Sequence, residues 1–381
     1  MHQVTFDDDS IKALDEDIRG FIDRGVQPDD GEEREFNELA LRLFHHQFSA
    51  IEPYQDVCRL QGYVPGEVER WDQIPAVPTK LFKELTLTTI DPNEAVSVFM
   101  SSGTKDPNRR SKVYMNDLGL RFYALSLQRT VDSYLFIEHD KLPAFMFCPP
   151  PEVAPNMALA YAFAAGMEEH LSEPPFYTVT GQKFDAETLM KRLEQVEERG
   201  EPVLLAGATF GFVHFIDVCK AQNISFSLPP GTLLCDSGGN KGLTREVGKE
   251  EFRDMACSFF GLEESRVLNA LGMTEVSAGF IDNALYNHVH GIEKPRYKVN
   301  LPWTRTVAID PLSFKRVPKG EKGLLRHFCL ANRTTIAAIQ TSDMGYEIDE
   351  GFEIIGRAAG TQLRGCSVAV DQMIGALKKK K

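Results

Sequence analysis

Ser101-Ser102-Gly103-Thr104, followed by Lys105 and soon by Arg109, Arg110 and Lys112, gathers hydroxyls, a glycine and several cations into one short stretch. Glycine lets the backbone approach a ligand closely, and exposed N–H groups in such a loop can cradle phosphate oxygens. Several cations suit a polyphosphate better than a carboxylate alone. The same residues would also make an ordinary surface turn beside a solvated charge run, since short motifs match often by chance. The stretch is not a Walker loop, because the G-x-x-x-x-G-K-[ST] spacing is absent. No G-x-G-x-x-G fingerprint occurs either, so the usual dinucleotide fold has no direct support.

The elements that must hold such a loop are legible from periodicity. Val96 to Met100 reads as a strand end leading into it. Asn116 or Asp117 is placed to cap a long amphipathic helix running to about Val131. Val203 to Ala206 is a strand that opens into a loop, Gly207-Ala208-Thr209-Phe210-Gly211-Phe212, after which helical spacing resumes. Thr232 to Cys235 ends at Asp236-Ser237-Gly238-Gly239, a helix spans Lys249 to Phe260, and Val267 to Ala270 ends at Gly272-Met273-Thr274-Glu275. Strands that repeatedly end in glycine- and hydroxyl-rich loops predict an α/β sheet whose ligand loops gather beyond the strands' carboxyl ends. Helical stripes (Leu14, Ile18, Ile22; Phe36, Leu39, Leu43) make the first sixty or so residues helical. Pro65, Pro75 and Pro78 around Trp71 predict a fixed, extended connection. Past Asp282 the pattern is less regular until a β-rich run, Thr334 to Gln340, ends at Thr341-Ser342-Asp343-Met344-Gly345. A last short strand, Gly351 to Gly356, precedes Arg357.

Composition narrows the classes. With 381 residues the chain can bury a large core, and 43% hydrophobic with 25% charged residues is ordinary for a globular protein. A formal charge of −13 argues against nucleic acid or an anionic membrane as the main partner. No apolar run is long enough to span a bilayer, and Met1 to Ser10 lacks a signal-peptide pattern, so a cytoplasmic location is expected. Seven scattered cysteines without a C-x-x-C pair point to reduced thiols. His45-His46 and His288-x-His290 lack further metal ligands at a suitable spacing.

Taken together and in order, Ser101-Ser102-Gly103-Thr104, Ser237-Gly238-Gly239, Gly272-Met273-Thr274-Glu275, Thr341-Ser342-Asp343-Met344-Gly345 and Gly356-Arg357 resemble the motifs of the adenylate-forming enzyme superfamily. Arg364-Gly365-Cys366-Ser367 makes the chain look like the acyl-protein synthetases (LuxE type) of bacterial bioluminescence. The resemblance covers about residues 60 to 370. It implies an α/β adenylation core over 1–355, with several mixed β-sheets flanked by helices and a helical part about 1–60. A short segment, 356–381, would carry the acceptor cysteine. The lid domain with its catalytic lysine, usual in the superfamily, would be largely missing, since only 24 residues follow Arg357.

The resemblance further implies activation of a carboxylic acid with ATP and Mg²⁺ as an acyl-adenylate, then transfer to a thiol as a thioester. Ser101, Ser102, Gly103, Thr104 and Lys105 would meet the β- and γ-phosphates. Thr274 would contact the α-phosphate, Glu275 would hold Mg²⁺, Asp343 would bind the ribose, and Arg357 would reach the ribose or the phosphate. Ser237, Gly238 and Gly239 would lie against adenine, beside Gly272 and Met273. Gly207, Phe210, Gly211 and Phe212 are the candidate wall of the acyl pocket, where small residues open space and aromatics line it. Cys366, with Arg364 and Ser367 beside it, is the candidate nucleophile, since nearby positive charge favours the thiolate; a lone cysteine is equally at home in a core. The sequence departs from the superfamily at Lys105-Asp106-Pro107, at Leu271, where an aromatic is common, and at Ala358-Ala359. Two other readings stay open: a ligase serving coenzyme A or a carrier-protein phosphopantetheine, and an inactive nucleotide-binding homologue. The expected partners are an aliphatic or aromatic acid and an acyl-accepting reductase, acyltransferase or carrier protein.

Overall fold

The computed structural model describes residues 8–26, 31–101, 109–181, 183–238 and 245–358. The chain divides into two compact units. The first is built from the chain up to Ser126, from Met273–Ala278 and from Val299 onward; the second comprises Leu127–Gly272 and Gly279–Lys298.

The first unit opens with helices Asp8–Asp23 and Glu32–Ala50, whose apolar stripes, including Leu14, Ile18, Phe36 and Leu43, are buried as their spacing requires. The proline-rich connection is indeed fixed. Trp71 packs its edge on Phe36 at 5.8 Å between centroids, its indole N–H donates to Glu33 Oε1 at 2.8 Å, and the Tyr54 hydroxyl donates to the Pro75 carbonyl at 2.8 Å. Past Val299 the chain is more regular than its sequence suggests. Strands Thr304–Ile309, Lys322–Cys329, Ala338–Ile348 and Gly351–Arg357 pair antiparallel in that order, and Val77–Pro78 adds to Ala338–Ile348 in parallel. Most residues of Lys322–Cys329 are buried on both faces, so the period-two alternation that marks a half-exposed strand is absent.

In the second unit, Val267–Met273, Leu233–Ser237, Leu204–Ala208, Ala144–Phe147 and Phe176–Tyr177 lie side by side in parallel. Helices Ala186–Arg199, Thr209–Lys220 and Lys249–Phe260 contribute to a core rich in phenylalanine, with Phe147, Phe212, Phe215 and Phe260 fully buried. Asp185 caps the first of these helices by accepting from the Thr188 N–H at 3.1 Å, and Gly200 ends it in the left-handed region.

Two local expectations are corrected. Residues 207–212 are not a loop, because the strand runs to Ala208 and the helix begins at Thr209. Gly207 is required there by packing: at φ +145° a Cβ would lie 2.6 Å from the Phe147 carbonyl carbon. The candidate phosphate loop is also followed directly by a strand. Lys112–Met115 pairs antiparallel with Ser97–Met100, placing the stretch between the arms of a hairpin before helix Asp117–Tyr134. Asn116 caps that helix, its Oδ1 accepting from the Gly119 N–H at 3.0 Å.

Candidate active site

In the first unit, Glu275 lies in the turn between strands Val267–Met273 and Val276–Ile281. Asn332 clamps this turn from both sides. Its amide nitrogen donates to the Glu275 carbonyl at 2.9 Å, and its oxygen accepts from the Ser277 N–H at 2.7 Å. The Glu275 side chain is buried. Burial pushes its carboxyl up; a hydrogen bond from Ser111 and the charge of Lys83 pull it back, while Asp343 adds to the rise. A carboxylate, a hydroxyl and a cation therefore share one electrostatic neighbourhood with Asp343.

Ser111 also ties off the hairpin. Its carbonyl accepts from the Ser101 N–H at 3.1 Å, and its own N–H donates to Ser101 Oγ at 3.0 Å. Ser101 is thereby held at the start of the candidate phosphate loop. Ser102, Gly103, Thr104 and Lys105 lie outside the described residues. Of the cations after the loop, Arg109 is paired with Glu84.

Asp343 lies within strand Ala338–Ile348, directly opposite Arg357. Arg357 Nε lies 3.3 Å from Asp343 Oδ1, and the Arg357 side chain is 82% exposed. The Asp343 N–H donates to Thr341 Oγ1 at 3.1 Å, and that hydroxyl donates to the Leu325 carbonyl at 2.7 Å. A bulge follows at Met344 and Gly345, where a Cβ on Gly345 would sit 2.0 Å from the Glu353 carbonyl oxygen. The motif's glycine thus lets two strands touch, while its aspartate stays reachable. A cleft of about 460 Å³, lined in part by Met344, Gly356, Arg357 and Lys322, opens beside this pair.

In the second unit, Ser237 is the last residue of its strand and Gly238 follows at φ +86°. Ser237 is paired with Ala270, and a Cβ on Gly272 would be 3.6 Å from Ser237 Oγ. Beside the turn, buried Asp236, Thr209, Asp282 and Lys298 form a polar network with the partly buried Asn269. Of the pocket-wall candidates, Phe212 is fully buried and stacks on Phe147 at 3.9 Å, Gly207 and Gly211 pack against the Phe147 backbone, and Phe210 is partly exposed.

Gly239 and Cys366 lie outside the described residues. The described cysteines, Cys58, Cys148, Cys219, Cys235, Cys257 and Cys329, are free thiols. Burial pushes every one of them up, Cys148 and Cys329 to about 12, which removes the thiolate at neutral pH.

Sequence reasoning did not find Ser111, Lys83, Asn332, Asp236, Thr209 or Asn269. Ser111 has a signal, a lone hydroxyl inside the basic run Arg109-Arg110-Ser111-Lys112. Asn332 has none, since its partner turn is more than fifty residues away. Among the described residues no group of three or more acidic, histidine or cysteine side chains is placed to hold a metal, and no helix is long and apolar enough to cross a membrane.

A family model described as acyl-protein synthetase, LuxE, matches residues 26–375. The chain is similar to the long-chain-fatty-acid–luciferin-component ligase of Vibrio harveyi, 23% identical over 364 residues that cover 90% of each protein. It is equally similar to that of Aliivibrio fischeri. Among solved structures, a 2-hydroxyisobutyryl-CoA ligase in complex with 2-HIB-AMP and CoA superposes with a TM-score of 0.65 at 14% identity, covering 88% of this chain and 70% of that one. The same ligase in an open conformation gives 0.61. These likenesses show the fold to be that of the adenylate-forming enzymes.

Proposed function

The chain belongs to the acyl-protein synthetase family, as an enzyme that activates an acid as its acyl-adenylate and passes the acyl group on, and we propose that ATP supplies the adenylyl group and Cys366 receives the acyl group. In the first step a carboxylate oxygen of the acid attacks the α-phosphorus, and the bond to pyrophosphate breaks. In the second the Cys366 thiolate attacks the acyl carbon, and the bond to the AMP phosphate breaks. Residues 1–355 form the adenylation core in this reading, and 356–381 carry the acceptor.

The observation that carries this reading is Glu275, a buried carboxylate beside Ser111, Lys83 and Asp343, inside the one motif that also holds Thr274. Asp343 accepts from the ribose hydroxyls, oriented by Thr341, and Arg357 reaches the ribose or phosphate from the strand opposite. Ser237, Gly238 and Gly239 lie against adenine, next to Gly272 and Met273. Thr274 contacts the α-phosphate, while Ser101 to Thr104 and Lys105 meet the β- and γ-phosphates. Mg²⁺ keeps several waters and takes one or two carboxylates beside substrate phosphates, so a single Glu275 fits such an ion without a full protein cage. When bound, the ion would neutralise charge growing on pyrophosphate. Phe210 is the partly exposed aromatic of the acyl-pocket wall. The acid is aliphatic or aromatic, and a reductase, acyltransferase or carrier protein takes the acyl group from the enzyme.

Two measurements test this. Carboxylate-dependent exchange of labelled pyrophosphate into ATP is expected; its absence across a broad panel of acids, with ATP still bound, would leave only a nucleotide binder. Intact-protein mass spectrometry with ATP, Mg²⁺ and an exchange-positive acid should then show one acyl adduct on Cys366, removed by neutral hydroxylamine. Cys366→Ser should keep the exchange and lose the adduct, because a serine hydroxyl is a weak nucleophile without a base. An adduct that persists in Cys366→Ser sinks the self-acylation reading, and acylation of added coenzyme A alone would replace it.

A further inference from the structure

Three neighbouring strands in the second unit come together at one buried carboxyl group. Asp236, 3% exposed, is paired in register with Gly207 on one side and Asn269 on the other. Asn269 Nδ2 donates to Asp236 Oδ2 at 3.1 Å. Thr209, the first residue of the helix that follows Leu204–Ala208, places Oγ1 2.5 Å from the same Asp236 Oδ2. That hydroxyl also lies 3.1 Å from the Gly238 carbonyl oxygen and 3.3 Å from the Ser237 carbonyl oxygen. A hydroxyl has one proton to give, and three oxygens stand within reach of it.

The charge on Asp236 settles which oxygen receives that proton. With the carboxyl ionised, the charge-assisted bond wins and Thr209 donates to Asp236. The carbonyls of Ser237 and Gly238 then receive nothing from Thr209. With a proton on Asp236 Oδ2, the acid donates to Thr209 Oγ1, and Thr209 turns its own proton to the Gly238 carbonyl. We propose that Asp236 is a positioning residue for the Ser237–Gly238 turn, acting through the Thr209 hydroxyl, so that taking up one proton fastens the Gly238 carbonyl and ordering of the turn follows.

Other charges face this group. Lys298 and Asp282 are both buried, with Lys298 Nζ 3.7 Å from Asp282 Oδ2, and Arg296 lies 3.6 Å from that same oxygen. Asn269 joins the two carboxyls, its side chain on Asp236 and its N–H on Asp282 at 2.8 Å. Cys235, next in the chain, is buried with its thiol pushed well up. Burial pushes Asp236 up to about 6, against the pull of Thr209, Asn269 and Lys298 and with a push from Asp282. Both protonation states are therefore populated near neutrality. Gly238, in the left-handed region at φ +86°, is the part of the turn free to respond.

The proposal rests on the reading that this turn lies against adenine. ATP affinity of the full chain is measured by calorimetric titration between pH 5 and 8 for wild type, Asp236→Asn, Thr209→Val and Thr209→Ser. One neutral hydrogen bond gained corresponds to about two- to tenfold. Relative to Thr209→Val, wild type should therefore bind ATP more tightly by about that factor below pH 6 and lose the advantage above it. Thr209→Ser should restore the profile, and Asp236→Asn should lack the midpoint near 6. The effect should appear in KM for ATP and leave kcat unchanged. A wild-type midpoint surviving in Asp236→Asn, or a profile shared by wild type and Thr209→Val, overturns the proposal. Gly238→Val tests the underlying reading separately, since unchanged ATP affinity there would show that adenine lies elsewhere. The proposal is then decided by amide hydrogen exchange of the 233–238 segment without nucleotide. Protection in wild type over Thr209→Val that is present at pH 5 and gone at pH 8 supports it, and equal protection at both pH values overturns it.

Discussion

Glu275 and Asp236 are both buried carboxyls close to the end of a strand, and burial raises both, yet their surroundings suit opposite tasks. Glu275 has a cation, Lys83, and a hydroxyl, Ser111, nearby, and its backbone is pinned by Asn332. The turn is fixed through its backbone and the side chain faces Ser111 and Lys83, which suits the role proposed for it as a ligand to a bound ion. Asp236 is held by the side chains around it, Thr209 and Asn269, and its effect reaches the turn only through them. Desolvation alone therefore does not mark a catalytic carboxyl. The neighbours separate the two proposed roles, a ligand to a bound ion and a group that keeps others in place.

The largest effect that would break this contrast is at Glu275. Glu275→Gln keeps the shape and loses the charge, so pyrophosphate exchange should fall by about 100- to 1,000-fold, the usual scale for one transition-state contact. Thermal stability should hold or rise, because a neutral amide does not carry the desolvation cost of the buried carboxylate. Exchange rates across a Mg²⁺ series check it, and rates equal to wild type at every concentration would move the ion to another ligand. Asp236→Asn should give the reverse pattern, with exchange at saturating ATP little changed and a large change in how stability depends on pH. The folded carboxyl sits at about 6 against an ordinary 3.8. Its contribution to stability is thus full below about 3.8 and is lost as pH rises through about 6. That difference of about two units, at about 1.4 kcal/mol each, is on the order of 3 kcal/mol. Urea unfolding at pH 4 and pH 7 should show Asp236→Asn gaining on wild type by about that amount at the higher pH. An unchanged difference between the two pH values would show that burial does not raise the Asp236 carboxyl.

How far these two groups were readable in the sequence differs for a physical reason. Glu275 sits in a motif whose neighbours along the chain, Gly272 to Thr274, belong to the same proposed site, so local order carries the signal. Asp236 draws its meaning from Thr209 and Asn269, which reach it only after three parallel strands come into register. The helices were legible from their stripes and caps: Asp185, Gly200 and the span Lys249–Phe260 all act as their residue types suggest. The strand Lys112–Met115 was not, because its exposed Lys112 and short length look like the tail of a charge run. Gly207 misled for a different reason. A glycine next to hydroxyls resembles a ligand loop, whereas here its missing Cβ makes room for the Phe147 backbone.

Asp343 extends the comparison to a carboxylate outside the core. Asp343→Ala should weaken ATP binding by about 1–3 kcal/mol, the range for hydrogen bonds to a charged group, with little change in stability. Calorimetric titration checks this, and full affinity in the folded variant would remove Asp343 from the ribose site.

The smallest effect on the fold is expected at Arg357, and it sharpens the contrast most. Its guanidinium is 3.3 Å from Asp343 but 82% exposed, so water screens the pair. Exposed ion pairs contribute from nothing to about 1 kcal/mol, and the cost of ordering a long side chain offsets much of that. Arg357→Gln should therefore leave the unfolding midpoint almost unmoved, and salt should change it no more than in wild type. Binding is different, because in the proposed site a nucleotide would displace that water and bring phosphate charge within reach of Arg357. ATP affinity should then fall severalfold in Arg357→Gln, and its dependence on salt should become shallower. Titrations at low and at physiological ionic strength measure both. A variant that loses stability while keeping ATP affinity would make the Asp343–Arg357 pair a strut of the hairpin, and the ribose would need another partner. A variant that loses affinity alone would show that an ion pair contributing little to the fold is kept as a ready-made place for a nucleotide.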